Sequence, residues 1–359
     1  MKLSYALIAA IVVVAFLISV PLLNTTKEDF STYNTAWNGA SDAKALASSD
    51  GYTTRSVFAL SEIGSGDGVL FMLNPNSSVS FSASDASTLQ SFVKNGGVLV
   101  LANDFGNGNA VLSGLGVSAA RFNGALLEDN VSKGVDAAHP LITDVNASGI
   151  TAGVHELYFN YGTALDVSGT NVTVLARSAP TSYLSTSASA NLSATTGAHP
   201  VLATFTYGDG RIVLLSDPSV FINDMLGQAD NQQLLTSMFA NLTGGNTAAP
   251  IMFDESHRAS APVWSLLYDR INADDTVKYT VIVLVSAAFV IGINATALVR
   301  RQRQGQGKDM APAPGDVPTN EAAVIADIVR AHPGWRRARV KGFLKQLQQR
   351  RGIRRDNRK

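Results

Sequence analysis

Val69-Leu70-Phe71-Met72-Leu73, followed by Ser84-Asp85-Ala86-Ser87-Thr88-Leu89-Gln90-Ser91-Phe92-Val93-Lys94-Asn95-Gly96-Gly97 and then by Val98-Leu99-Val100-Leu101-Ala102, decides the fold. The outer two stretches are unbroken apolar runs of five residues. A strand reads this way when it is buried on both faces of a parallel sheet. In the middle stretch Leu89, Phe92 and Val93 recur at helical spacing, Ser84 or Asp85 can cap the start, and Gly96 can end it in the left-handed region. Strand, helix, strand is a right-handed βαβ unit.

Working outward, Ile212-Val213-Leu214-Leu215 is a further apolar run, joined to a strand over Val201–Tyr207 by the turn Gly208-Asp209-Gly210. Helices are expected around Asp42–Ser48, Asn109–Leu115 and Gln228–Asn241, β structure through Asn171–Arg177, and a long Ser/Thr-rich loop over Ser178–Thr196. The expected domain, residues 24–278, is α/β and doubly wound on a mostly parallel sheet, of the flavodoxin- and amidotransferase-like kind.

Two uncharged runs of 21 residues, 3–23 and 279–299, flank this domain. About 20 apolar residues rising ~1.5 Å each suffice to cross a bilayer, so both are expected to be transmembrane helices. The first is read as an uncleaved anchor, with a cleaved signal peptide as the alternative. Arg300, Arg301 and Arg303 follow the second run and Lys2 precedes the first, whereas Glu28, Asp29, Asp274 and Asp275 lie between the two. Such a bias predicts a multi-pass membrane protein with both termini cytoplasmic (1–2 and 300–359) and the main domain outside the cytoplasm.

The formal net charge of zero conceals an asymmetry. Residues 24–278 carry 11 Lys/Arg against 23 Asp/Glu, a net of −12, and residues 300–359 carry 16 against 5, a net of +11. An acidic domain does not attract nucleic acid. The chain has no cysteine, which excludes disulfides, thiolate metal sites and thiol nucleophiles. No phosphate loop, Gly-x-Ser-x-Gly elbow or His-Glu-x-x-His helix is present, and no cofactor is implied.

Several stretches taken in order resemble the family catalogued as domain of unknown function 4350. They are Phe92–Leu101 with Asn103-Asp104-Phe105-Gly106-Asn107-Gly108-Asn109; His139-Pro140-Leu141; Tyr207-Gly208-Asp209-Gly210-Arg211 through Ser216-Asp217-Pro218-Ser219; Phe221–Leu226; Asp230-Asn231; and Phe253-Asp254-Glu255-Ser256-His257. The resemblance spans roughly residues 35–260 and implies a fold related to class I glutamine amidotransferases. In those enzymes the turn after a central strand holds the catalytic cysteine. The corresponding turn here is Ala102-Asn103-Asp104-Phe105-Gly106, so thiol-based glutamine hydrolysis is excluded. The resemblance also implies a MoxR-type AAA ATPase as a partner.

Ligands of open α/β sheets bind beyond the carboxyl ends of the strands. Asn103, Asp104, Asp217, Asn223 and Asp230 are therefore candidate pocket residues, the alternative being that they cap helices and shape turns. Asp254, Glu255, His257 and Arg258 form a candidate acid/base or metal-binding cluster, or else a salt-bridged structural one. Ser256 is not expected to complete a triad with its neighbours. After a Gly/Pro-rich linker (300–318), the tail (319–359) is read as helical and basic. Trp335, Arg336, Arg337, Arg339, Lys341, Phe343 and Lys345 are candidates for docking on an anionic bilayer or an acidic partner. The function expected is a membrane-anchored, non-catalytic binding or scaffold module, with a thiol-independent or metal-dependent hydrolase using Asp254–His257 as the alternative.

Overall fold

A computed structural model describes residues 26–146, 149–185, 195–260 and 321–356, together with a few positions between 276 and 287. The chain divides into two compact units, Met1–Ser286 and Ala287–Lys359.

The first unit is built on an eight-stranded sheet. Its strands are β1 (Thr54–Val57), β2 (Val69–Leu73), β3 (Val98–Ala102), β4 (Asp144–Val145), β5 (Thr173–Arg177), β6 (Pro200–Tyr207), β7 (Gly210–Leu215) and β8 (Ile251–Asp254), in the spatial order β1-β8-β2-β3-β7-β6-β5-β4. The pairs from β1 to β7 are parallel. Those from β7 through β6 and β5 to β4 are antiparallel.

Every residue of β2, β3 and β8 is buried, because the pleat sends alternate side chains into two separate cores. Phe71, Val100, Leu215 and Phe253 enter one core with α1 (Ser41–Ser49) and α5 (Asn231–Leu242). The short helix α4 (Asn223–Leu226) adds Leu226 to it. Leu70, Met72, Leu99 and Leu214 enter the other with α2 (Ala83–Lys94) and α3 (Gly108–Gly114). The cap of α2 lies upstream of the expected Ser84 or Asp85. Ser82 accepts from the Asp85 amide at 3.1 Å, and Asp85 accepts from the Ser82 amide at 3.0 Å, a capping box. Gly96, at φ 107°, makes the turn into β3, a backbone region that costs a residue with a Cβ.

Three expectations are corrected. The sheet is mixed, not mostly parallel, because the Gly208–Gly210 turn returns β7 against β6 and the next two strands continue antiparallel. The two-span membrane topology is overturned as well, and the placement of the domain outside the cytoplasm, which rested on it, loses its support. No helix among the described residues is long and apolar enough to cross a membrane. The twelve residues of α2 and of α5 reach about 18 Å. The run 3–23 lies outside the described residues, as does 279–299 apart from a few positions up to 287. The expected loop 178–196 also differs, since Tyr183–Ser185 forms a strand paired with Leu126–Glu128.

The second unit contains α6 (Glu321–Ala331) and α7 (Arg337–Asp356). Although α7 is twenty residues long, it carries eight Lys and Arg. Between the helices the His332 and Trp335 rings stack at 4.8 Å, and Val340 is buried.

Phe71 stacks on Phe253 at 5.4 Å and meets Phe239 and Phe221 edge-on at 5.6 and 6.1 Å. Phe71→Ala is expected to cost about 3–5 kcal/mol in urea unfolding. Phe105→Ala, at a position 50% exposed, is expected to stay within about 0.5 kcal/mol.

Candidate functional site

The strands β2, β3, β7 and β8 are parallel neighbours, so their carboxyl ends lie side by side. Each apolar run gives way there to polar residues: Asn74–Asn76 after β2, Asn103–Gly106 after β3, Ser216-Asp217 after β7, and Asp254–Arg258 at the end of β8. A cleft of about 570 Å³ opens over them. Residues 74–77 and 104–106, Arg258, and residues 27–30 of the segment preceding α1 line it. Gly106 lets the two turns approach, since a Cβ there would overlap Asn74 Oδ1 and the Pro75 carbonyl.

Arg258 is 8% exposed. Its Nη1 donates to the Asn74 carbonyl at 3.3 Å and its Nη2 to the Phe30 carbonyl at 3.2 Å. Both acceptors sit in the left-handed region, with φ 43° and 60°, where non-glycine residues are uncommon and strained. The guanidinium thus ties the turn after β2 to the N-terminal segment. Its Nε lies 4.0 Å from Glu255 Oε2 and is buried without a hydrogen-bond acceptor among the described residues. Glu255 reinforces the same tie by accepting from Ser31 Oγ at 2.8 Å and from the amide and hydroxyl of Thr32, both at 2.7 Å. Burial pushes the Glu255 carboxyl above its ordinary range, against Arg258 and these donors.

Asp104 and Asp217 stand at the tips of adjacent strands. Burial raises the Asp104 carboxyl despite backbone donors from its own turn. Asp217 is fully buried and accepts from the Asn160 amide at 2.6 Å and the Ser219 amide at 2.8 Å. Burial, with the Asp104 charge adding to it against those donors, pushes it up to about 8.

His257 and Asp254 are buried and turned away from the cleft. His257 Nδ1 is 2.9 Å from Asp254 Oδ2, its Nε2 is 3.8 Å from Asp85, and its ring lies against Phe81. Burial pulls the imidazole down, but the hydrogen bond and charge of Asp254 and the charge of Asp85 outweigh it and hold it above its ordinary value. Ser256 Oγ lies 2.5 Å from Asp254 Oδ1 and 3.0 Å from His257 Nδ1. Serine and aspartate therefore crowd the same ring nitrogen, whereas a catalytic triad places them on opposite nitrogens.

The structure thus sorts the candidates. Asp104 and Arg258 line the cleft, and Asp217 lies beside Asp104 without lining it. Asn103 is buried and holds the start of α3 by accepting from the Gly108 amide at 3.0 Å. Asn223 fastens the N-terminal segment, donating to the Ala36 carbonyl at 2.7 Å and accepting from the Asp42 amide at 3.0 Å. Asp230 accepts from the His155 and Glu156 amides at 2.8 and 3.1 Å. Among the described residues no group of three His, Asp or Glu is placed to hold a metal ion. Sequence reasoning missed Asn74, whose position after an apolar run and before Pro75 marks a turn. It also missed the wall formed by residues 27–30, which carries no motif. In the second unit Trp335 and Phe343 are exposed, as are Arg336, Arg339 and Lys345, while Arg337 and Lys341 border a groove shared with α6.

The family model described as "Domain of unknown function (DUF4350)" matches residues 32–239, more than half of the 359 residues, and the chain belongs to that family. The matched segment includes the turns after β2, β3 and β7 but neither residues 27–30 nor Arg258. No curated protein matches. Among solved structures, one described as "mmIFT52 N-terminal domain" is 16% identical, with 48% of this chain and 76% of that chain covered at a TM-score of 0.39. A β-galactosidase from Bacillus circulans sp. alkalophilus is 14% identical, over 51% of this chain and 23% of its own, at 0.32. The exo-β-1,4-mannosidase Op5Man5 from Opitutaceae bacterium strain TAV5 is 14% identical, over 48% and 24%, at 0.25. Likenesses this slight carry no argument about activity.

A carboxyl whose pKa rises on folding makes the folded state bind more protons than the unfolded one, so stability falls as pH rises between the two values. For Asp217 that window runs from about 4 to about 8. Urea midpoints of the native protein are expected to fall across it. In Asp217→Asn they are expected to start lower, because an amide NH₂ then faces a backbone N–H, and to fall less steeply. An unchanged slope would reject the assignment.

Proposed function

We propose that this chain is a binding or scaffold module in which a glutamine amidotransferase-like domain holds a polar ligand at its strand tips without transforming it, and a basic tail couples it to a second protein. The observation that carries the ligand half is Arg258. A buried guanidinium braces two strained turns around a cleft and keeps one donor unanswered among the described residues. Strain of this kind persists where surrounding structure enforces it, and it concentrates at binding sites. The hydrolase alternative has less support. A general base must reach a substrate proton, whereas His257 faces Asp85 and is not part of the cleft lining.

For the tail, exposed Trp335 and Phe343 among Arg336, Arg337, Arg339, Lys341 and Lys345 suit an acidic protein surface with apolar sockets, since aromatic and arginine side chains dominate interface energetics. A MoxR-type AAA ATPase is the partner suggested by the family resemblance.

Hydrogen exchange on the full chain, with and without a small-molecule cell extract, tests the ligand half. Slowed exchange confined to residues 26–34, 74–77 and 104–106 is expected. Unchanged exchange there, or His257-dependent turnover of an extract component, rejects it. For the coupling half, a purified MoxR-type ATPase is expected to bind the full chain and to lose at least tenfold in affinity to the triple variant Arg336→Glu, Arg337→Glu, Arg339→Glu. Equal affinities would dismiss the tail as the coupling element.

A further inference from the structure

Two residues that line the cleft each carry a buried polar atom with no partner among the described residues. The donor is Arg258 Nε and the acceptor is Asn74 Oδ1. They belong to neighbouring side chains, since Arg258 Nη1 is bonded to the Asn74 carbonyl. Leaving such groups without partners is costly, so an occupant that reaches them should offer both an acceptor and a donor.

Charge narrows the choice. Asp104 lines the cleft alongside Asn74, and Glu28 and Asp29 line it from the N-terminal segment. Of the two cations in the lining, Lys27 is exposed at the rim, and Arg258 is engaged with two backbone carbonyls and lies beside Glu255. A simple anion would face three carboxylates. A simple cation would leave the Arg258 donor unanswered. Water can bridge a donor and an acceptor, but it brings no charge to Asp104.

Resting on the binding role proposed above, we infer that the cleft takes an α-ammonium group adjoining a carbonyl or carboxylate oxygen, the chemistry shared by a free amino acid and the amino terminus of a peptide. The ammonium has three donors, enough for Asn74 Oδ1, Asp104 and one acidic side chain of the opposite wall. The oxygen, on the next carbon, accepts from Arg258 Nε. Half-exposed Phe105 and partly buried Phe30 supply apolar surface for the first side chain. About 570 Å³ falls within the range of small-ligand sites.

Isothermal titration of the full chain with four probes tests this: L-alanine, L-alanyl-L-alanine, N-acetyl-L-alanyl-L-alanine and propionate. Saturable binding by at least one of the first two is expected, with the acetylated dipeptide and propionate at least tenfold weaker. Preference for the dipeptide identifies a peptide terminus as the source, and preference for alanine a free amino acid. Asp104→Asn, close to isosteric, is expected to weaken the binding probe at least tenfold, and its melting temperature shows that it folds. Equal binding of the acetylated form, binding by propionate alone, or indifference to Asp104→Asn overturns the ligand class but leaves the cleft as a binding site. No binding by any probe overturns the ligand class. If the extract also fails to slow exchange at the cleft, the binding role falls with it.

Discussion

The constraint on which the rest of the structure depends is that β2, β3 and β8 are buried on both faces. Strands in that position have no solvent side on which to carry polar groups, and burying an unpaired polar side chain costs several kcal/mol. Polar chemistry is therefore displaced to their ends. Because these strands and β7 are parallel, their ends with the same polarity lie side by side, and four polar turns meet at one edge of the sheet. The antiparallel extension β6-β5-β4 widens the sheet, and none of its residues lines the cleft. Correcting the sheet from mostly parallel to mixed thus leaves the position of the cleft untouched.

The edge is closed by residues far apart in sequence. Glu255 receives three hydrogen bonds from Ser31 and Thr32, and Arg258 grips the carbonyl of Phe30. Removing one member of a buried ion pair exposes the other to an uncompensated desolvation cost of about 3–5 kcal/mol, so neither side chain is dispensable to the fold. One short sequence, Glu255 to Arg258, therefore serves as both latch and cleft floor. Glu255 holds the segment, His257 is sealed against Asp254 and Asp85, and Arg258 alone of the three lines the cleft.

Much of this was legible in the sequence wherever local pattern determines structure. The five-residue apolar runs, Leu89/Phe92/Val93 spacing, Gly96 and the Gly208–Gly210 turn placed β2, α2, β3 and the hairpin, and the helices around 41–49, 108–114 and 231–242 fell within a few residues of expectation. Asn103, Asn223 and Asp230 show where legibility ends. Asp and Asn after a strand or before a helix serve as well to cap and clasp as to bind, and only the tertiary arrangement decides between these roles. The N-terminal wall was invisible because its contacts with Glu255 and Arg258 cross more than 200 residues and leave no local signature. The spans failed for a different reason. Hydropathy alone proposed them, and the helices that the structure describes are short, or, in α7, heavily charged.

The two carboxyls at the tips of β3 and β7 act on each other, the Asp104 charge adding to the burial that raises Asp217. Two carboxylates this close do not readily ionise together. Asp217, fully buried, is pushed up to about 8, and burial raises Asp104, which borders the cleft, as well. Asp217 meanwhile fixes the backbones of Asn160 and Ser219. Asp104 and Arg258 thus put an acidic and a basic side chain on the same cleft.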